Sequence, residues 1–106
     1  MPALGVIEVK GYAAAMVAAD TMLKAAGVRI FKDTREVHLN DVIAVFIRGD
    51  DVGSVKAATD AGAEAAKAHG QVVTVHVIAK PDKNAVRAVI GDTDWDNNAA
   101  PQNWIP

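Results

Sequence analysis

The three histidines are the residues of this sequence best suited to acid–base or metal chemistry, because imidazole titrates near neutral pH and binds metal ions through nitrogen. They are His38, His69 and His76. The pattern predicts a loop for His38, a helix end for His69 and a strand for His76, so they could converge only in the folded or assembled protein. No Walker, GxGxxG or HExxH motif accompanies them. We therefore expect no catalytic residue, no metal site, no cofactor and no enzyme activity.

Arg48-Gly49-Asp50 spells a tripeptide known from cell adhesion. With Asp51, the same residues also suit the turn from a strand into a helix. Gly49 can adopt backbone angles closed to other residues. A carboxylate of Asp50 or Asp51 can accept hydrogen bonds from the free amides of the first helical turn. Because Met1-Pro2 leads directly into a strand pattern without a secretory leader, we interpret the tripeptide as a turn and helix cap.

The segment after this turn predicts a helix with a narrow apolar stripe. Residues of the stripe recur every three or four positions and are Val52, Val55, Ala58, Thr59, Gly62, Ala65 and Ala66. Since Gly62 weakens a helix, we expect a close packing contact there. Lys67 and His69 fall in the last turn, and Gly70 ends the helix. The β-branched run Val72–Ile78 then predicts a buried strand.

The rest of the chain completes an α+β pattern. A strand over residues 3–10 precedes a helix from Tyr12 to Ala26, which Gly27 ends. Strand Val28–Phe31, a polar connection over residues 32–41, and the almost wholly apolar strand Val42–Ile47 follow. This order predicts a ferredoxin-like βαββαβ domain with its helices on one face of the sheet.

The end of the chain changes in character. Asp82 could cap a short third helix, from Lys83 to Ile90, which Gly91 would end. We place the domain at residues 1–91 and expect an extended or flexible tail over residues 92–106. Trp95 and Trp104 of this tail could pack on their own subunit, on a neighbour or on a cargo protein, and self-packing is the simplest interpretation.

The composition limits the classes of protein to which this chain can belong. Its 106 residues suffice for one domain. Hydrophobic content is 51% but aromatic content only 5%, so we expect a core of small residues that gains from oligomerisation. A net charge of −2 argues against nucleic acid as a partner. No apolar run is long enough to span a lipid membrane, and no cysteine is available for disulfides or thiolate metal sites.

Two long segments resemble the shell proteins of bacterial microcompartments, known as BMC-domain proteins, of the hexamer-forming type. The first is ALGVIEVKG with AADTMLKAA, and the second is RGD, VGSVKAATDAGAEAA and VVTVHVIAKP. The resemblance covers roughly residues 3–90. The resemblance implies a structural subunit in the bacterial cytoplasm that forms homohexamers, tiles into a sheet with other shell proteins and encloses enzymes.

The resemblance also assigns roles to two lysines. Lys24 matches a lysine at the hexamer edge that helps hexamers tile, and Lys80 takes the place of an arginine at the same edge. Lysine lacks arginine's planar fork of donors, so tiling could be weaker or differently arranged. Without the resemblance, Lys24 is a solvated lysine that compensates the helix dipole.

The pore segment departs from the family pattern. In hexameric members, the loop between strands two and three carries a Lys-Ile-Gly-Ser-Gly type motif that lines a narrow polar pore. This sequence has no glycine between Phe31 and Arg48. By position alone, the residues assigned to the pore are Val37, His38, Leu39 and Asn40. Six bulky copies could narrow or close the opening, whereas a solvated hairpin loop without a transport role is the plain interpretation.

A second class of protein shares the predicted fold. Small-molecule-binding regulators of the trimeric nitrogen-signalling family are also ferredoxin-like and bind nucleotides between subunits. The RGD, KAATDAG and VHVI segments favour the shell protein. Mass in solution distinguishes the two, because the shell protein would form hexamers or sheets and the regulator a nucleotide-responsive trimer.

Overall fold

The computed structural model describes residues 2–25, 27–31, 35–37, 42–91, 95 and 104–105. In chain order, the elements are β1 (Ala3–Lys10), α1 (Tyr12–Lys24), β2 (Arg29–Phe31), β3 (Arg35–Val37), β4 (Val42–Gly49), α2 (Val52–Ala66), β5 (Gln71–Ile78), α3 (Lys83–Val89) and β6 (Trp104–Ile105).

All strand pairings of the sheet are antiparallel, and its main path runs β5-β1-β4-β2-β6. Ala3 of β1 pairs with Gly49 of β4, and Lys10 pairs with Val42 at the other end. Strand β3 pairs separately with the beginning of β4. The path β5-β1-β4-β2 with helices α1 and α2 confirms the ferredoxin-like α+β fold expected from the sequence.

Helices α1 and α2 cover one face of the sheet, which we call the helical face. Its core takes Ile7 and Val9 from β1, Met22 from α1 and Val55 from α2. The odd-numbered residues of β4 also point here and are Ile43, Val45 and Ile47. Most helical residues in this core are alanines, so the helices lie close to the sheet and to each other.

Helix α3 and the two tryptophans cover the opposite face, which we call the aromatic face. Its buried residues are Leu4, Phe31, Ala44, Phe46, Val86, Ile90, Trp95 and Trp104. Because β4 contributes alternate residues to the two cores, its apolar run is buried on both sides, as the sequence predicted. The two helices of the βαββαβ pattern share the helical face, as predicted, and the additional helix α3 lies on the aromatic face.

Close backbone packing explains two glycines on the helical face. A Cβ atom at Gly62 would lie 2.7 Å from Met22 Cγ and 3.2 Å from the Ala18 carbonyl oxygen. This confirms the close contact expected there between α2 and α1. A Cβ atom at Gly49 would lie 2.6 Å from the Gly27 carbonyl oxygen. Gly49 is not among the glycines with positive φ, so the expectation of unusual backbone angles at this residue was wrong, and Gly49 is required for space.

Several predicted boundaries change in the structure. Helix α1 ends at Lys24, with Ala25 already extended; Ala26 lies outside the described residues. The connection predicted over residues 32–41 contains strand β3. In the tail, Trp104 and Ile105 form strand β6, and both tryptophans pack on their own chain, as the self-packing interpretation expected.

Candidate assembly surfaces and pore segment

Lys24 lies in the last turn of α1 with its side chain in solvent. Its Nζ atom lies 2.8 Å from Oδ2 of Asp20, one helical turn earlier, and 76% of the Lys24 side chain is exposed. An exposed pair of this kind contributes little to stability, on the order of 0.5 kcal/mol. Lys24 is therefore accessible to another molecule, and its ion pair is weak enough to be exchanged.

Lys80 is exposed just beyond the end of β5. Ile78 near that end pairs with Leu4 near the beginning of β1. Helix α1 runs back from the end of β1, so its last residue, Lys24, reaches this same end of the sheet. The two predicted edge lysines thus share one end of the sheet, and they project from different elements.

Val37, the first residue of the predicted pore segment, lies at the opposite end of the sheet. Val37 is the last residue of β3, and its backbone pairs with Val42 at the beginning of β4. Val42 in turn pairs with Lys10 at the end of β1. His38, Leu39 and Asn40 follow Val37 in the sequence and lie outside the described residues.

The remaining histidines are not brought together. His69 follows the end of α2, and His76 pairs with Val6 within the sheet. In the part of the chain that the structure describes, no cluster of three or more His, Asp or Glu residues could hold a metal ion. Across the same residues, no helix is both long enough and apolar enough to cross a membrane.

The turn before α2 is a helix cap. The Asp51 carboxylate accepts a hydrogen bond from the Gly53 amide at 3.1 Å and another from the Ser54 hydroxyl at 3.0 Å. The Ser54 hydroxyl and then the Gly53 amide lower the pKa of Asp51, since both stabilise its charged form. Arg48 is only 3% exposed. Its burial leaves the tripeptide unable to present the arginine to a receptor, which supports the cap interpretation.

Strand β5 is an exposed edge, and the sequence prediction of a buried strand was wrong for the single chain. Its exposed apolar residues include Val73, Val75 and Ile78. The reason is topological, because β5 has only β1 as a neighbour among the described strands. Beside this edge lies a groove of about 360 Å³ between β5 and α2, lined by Val52, Lys56, Asp60, Val75, Val77 and Ala79.

A second exposed apolar surface lies on α1. Tyr12 and Met16, one helical turn apart, are 68% and 70% exposed. Sequence reasoning missed this surface and the β5 edge. The α1 surface could have been found from the sequence, because the buried alanines of α1 occupy one side of the helix and leave Tyr12 and Met16 off it.

Comparison with known proteins identifies the fold and the segments around these surfaces. A model of the BMC domain family matches residues 3–81. The bacterial microcompartment shell protein PduA from Citrobacter freundii is 51% identical over 79 residues, which are 74% of this chain and 82% of PduA. The major carboxysome shell protein CsoS1 from Prochlorococcus marinus is 40% identical over 94 residues, covering 88% of this chain and 87% of CsoS1.

A solved structure agrees with these sequence matches. The crystal structure of a microcompartments protein from Desulfitobacterium hafniense DCB superposes with a TM-score of 0.69 and is 32% identical. The match covers 83% of this chain and 46% of that chain, so this chain spans about half of that protein's length.

The chain therefore belongs to the BMC domain family of bacterial microcompartment shell proteins. Its relatives are structural shell proteins and not enzymes, in agreement with the sequence prediction that this chain is not an enzyme. Family membership also favours the shell protein over the nucleotide-binding regulator.

Proposed function

We propose that this shell protein forms a cyclic homohexamer, that hexamers tile edge to edge, and that the resulting sheet encloses enzymes in the bacterial cytoplasm. Residues 1–91 would form the shell domain, and residues 92–106 would form a tail. Its partners would be copies of itself, other shell proteins and the enclosed enzymes. The role would be structural, as a barrier with a narrowed axial opening.

The observation that carries the ring is a pair of different apolar surfaces on one subunit. Strand β5 and the neighbouring groove provide one surface. Tyr12 and Met16 provide the other, on α1, the helix that lies farther from β5. Contact between unlike surfaces of successive subunits generates a closed ring when the rotations that relate one subunit to the next add up to a full turn. Such contacts would also bury the apolar edge of β5, which a lone subunit leaves as a site for aggregation.

The orientation of a subunit within the ring follows from the two ends of its sheet. In the hairpin formed by β3 and β4, Val37, the first predicted pore residue, lies at one end of the sheet, whereas Lys24 and Lys80 lie at the other. An arrangement with the hairpin at the six-fold axis would put both lysines at the rim, where neighbouring hexamers meet. The six copies of residues 37–40 would then narrow the axial opening, because none of them is a glycine.

The mass of the protein in solution tests the ring. We expect a stable hexamer at micromolar concentration by light scattering or native mass spectrometry. A monodisperse monomer would contradict the proposal, and a trimer whose state changes with nucleotide would favour the regulator.

Reversal of charge at Lys24 tests the tiling. With Lys24→Asp, hexamers should persist, but sheets or tubes should fail to form in electron micrographs, since carboxylates would meet where the lysine stems had packed. Lys67→Asp is the matched control. Lys67 also lies at a helix end, is 63% exposed and pairs with an acidic residue one turn back, Glu64, at 2.9 Å. Sheets that form equally well with Lys24→Asp would exclude Lys24 from the edge.

A crystal structure of the assembled ring tests the pore. We expect His38 or Asn40 among the residues nearest the axis and an opening narrower than in the Gly-Ser type. If both side chains point away from the axis, the pore assignment is wrong, although the shell function would stand.

A further inference from the structure

The C-terminal strand occupies a groove whose walls belong to the shell domain. We call this the acceptor groove and define it by the edge of β2 that faces away from β4, together with Phe31, Phe46 and Arg48. Trp104 pairs with Phe31, and Ile105 pairs with Ile30, in an antiparallel register. Trp104 is only 1% exposed. The groove thus receives an extended segment by strand addition, with one large side chain as its anchor.

Aromatic and cationic groups hold the anchor in place. The ring of Trp104 lies 5.3 Å from that of Phe31 and 5.7 Å from that of Trp95. The guanidinium carbon of Arg48 lies 5.7 Å from the Trp104 centroid and 5.0 Å from the Trp95 centroid. Contacts of this kind are favourable, and a buried guanidinium gains from stacking on the rings. These contacts make the groove a site for an indole.

The groove and its occupant have different origins. The groove residues lie within the stretch matched by the family model, residues 3–81, whereas the tail lies beyond it. Strand β6 covers only two residues. The occupant is therefore held by one short strand pairing and one large anchor, as expected of a segment that can be replaced.

The tether before the anchor is long enough to serve another subunit. Residues 96–103 separate the two tryptophans, and nine residue steps span roughly 30 Å when fully extended. The principal extents of the subunit are 34 × 28 × 21 Å. A tether of that length can cross the width of a subunit and reach the groove of an adjacent copy.

We propose that the acceptor groove binds the Trp104–Ile105 segment of a second copy of this chain, and that the chain's own segment fills the groove when no copy is docked. Exchange of an identical segment joins two subunits through contacts that already exist. It would link subunits in addition to the lateral surfaces proposed above, and it does not depend on a hexamer.

A labelled peptide tests the groove in the full-length protein. The probe is a fluorescent peptide of residues 99–106, AAPQNWIP, and the acceptor is the Trp104→Ala chain, whose own anchor is lost. Anisotropy should show saturable binding, roughly tenfold or more tighter than to the wild-type chain, because the tethered segment competes at a high effective concentration. The same peptide with alanine in place of its tryptophan should not bind.

Two results of the peptide experiment would overturn the proposal. One is the absence of saturable binding to a Trp104→Ala chain that retains its native circular dichroism. The other is equal binding of the tryptophan and alanine peptides, which would indicate non-specific adhesion.

Cross-linking provides a second measurement that keeps the Trp104 anchor in place. The sequence has no cysteine, and directly paired residues of antiparallel strands are close enough for a disulfide. Ile30→Cys and Ile105→Cys are placed on separate chains of different size and mixed under oxidation. Exchange predicts a disulfide dimer of the two unlike chains. The control carries both cysteines in one chain and should cross-link internally. An internal cross-link in that control without a dimer in the mixture would exclude exchange.

Discussion

The two faces of the sheet are packed by different means. The helical face is built from alanines, β-branched residues and glycines, and its helices approach until backbone atoms limit the contact. The aromatic face is built from two phenylalanines and two tryptophans around Arg48, together with the short helix α3. The helical face uses only residues within or beside the family match, whereas part of the aromatic face comes from the tail.

This difference suggests which face is fixed and which can change. A close-packed core of small residues has little room for rearrangement, because a Cβ atom added at Gly5, Gly49 or Gly62 would lie less than 3.0 Å from a neighbouring atom. A core closed by a few large anchors can open when the anchors leave. We therefore expect the helical face to determine the stability of the subunit and the aromatic face to determine what docks on it.

The largest effect is expected from Met22→Ala on the helical face. Met22 is fully buried against Gly62 of α2, so its truncation should lower the free energy of unfolding by about 2–5 kcal/mol. Val89→Ala is the control, because Val89 of α3 lies outside the proposed contacts between subunits. Val89 is 72% exposed, and its truncation should change stability by no more than about 0.5 kcal/mol. Urea unfolding at matched protein concentration measures both, and equal costs would contradict the assignment of Met22 to the core.

A somewhat smaller effect is expected from Gly49→Ala. The new methyl group would lie 2.6 Å from the Gly27 carbonyl oxygen and 2.9 Å from a methyl of Val55. The backbone must move, which should cost about 1–3 kcal/mol. Gly53→Ala is the control in the first turn of α2, where the methyl group makes only ordinary contacts with Asp51. That substitution should stabilise the helix by up to about 1 kcal/mol. Opposite signs in thermal unfolding would support the close contact at Gly49.

Local chemistry made much of the helical face predictable from the sequence. Asp51 caps α2 through residues two and three positions away, and such short-range signals can be read directly. Gly62 indicated a close contact, because a glycine inside a helix lowers the stability of the helix and is usually there to allow close packing. The apolar run of β4 indicated burial on both sides. The end of α1 placed Lys24 in its last turn, as expected.

Long-range contacts account for what the sequence did not predict. The β-branched residues of β5 are typical of a buried strand, but burial depends on whether the strand has a second neighbour. The contact of Trp104 with Phe31 joins residues far apart in the chain, and the tail has no periodic pattern that would predict it. The pore assignment stays a prediction for a similar reason, since it depends on how six chains meet.

Loss of the tail anchor tests whether the aromatic face can open by itself. Trp104→Ala should lower the free energy of global unfolding by less than the roughly 3–5 kcal/mol usual for truncation of a buried tryptophan. The reason is that the tail can leave while the sheet remains folded. Trp95 is then the one remaining tryptophan, and its emission should shift to longer wavelength as water reaches it. Lys67→Ala, at an exposed position outside the proposed contacts between subunits, is the control. A full loss of stability together with loss of secondary structure would show that the aromatic face is an integral core.

The smallest effect is expected from the pH dependence of the Asp51 cap on the helical face. Hydrogen bonds from Ser54 and Gly53 hold the pKa of Asp51 below its ordinary value of 3.8. A carboxyl with a lowered pKa in the folded state stabilises the fold above the unfolded-state pKa, and this contribution is lost as pH falls through the lower, folded-state pKa.

Asp51→Asn keeps a capping side chain but removes the charge. The stability difference between wild type and Asp51→Asn, from urea midpoints, should be constant well above pH 3.8 and should shrink below it. Ser54→Ala should move the pH at which this stability difference shrinks towards 3.8, because it removes the hydrogen-bond donor that lowers the pKa of Asp51 most. A difference that stays constant through the acid range would show that the charge of Asp51 contributes nothing to the cap.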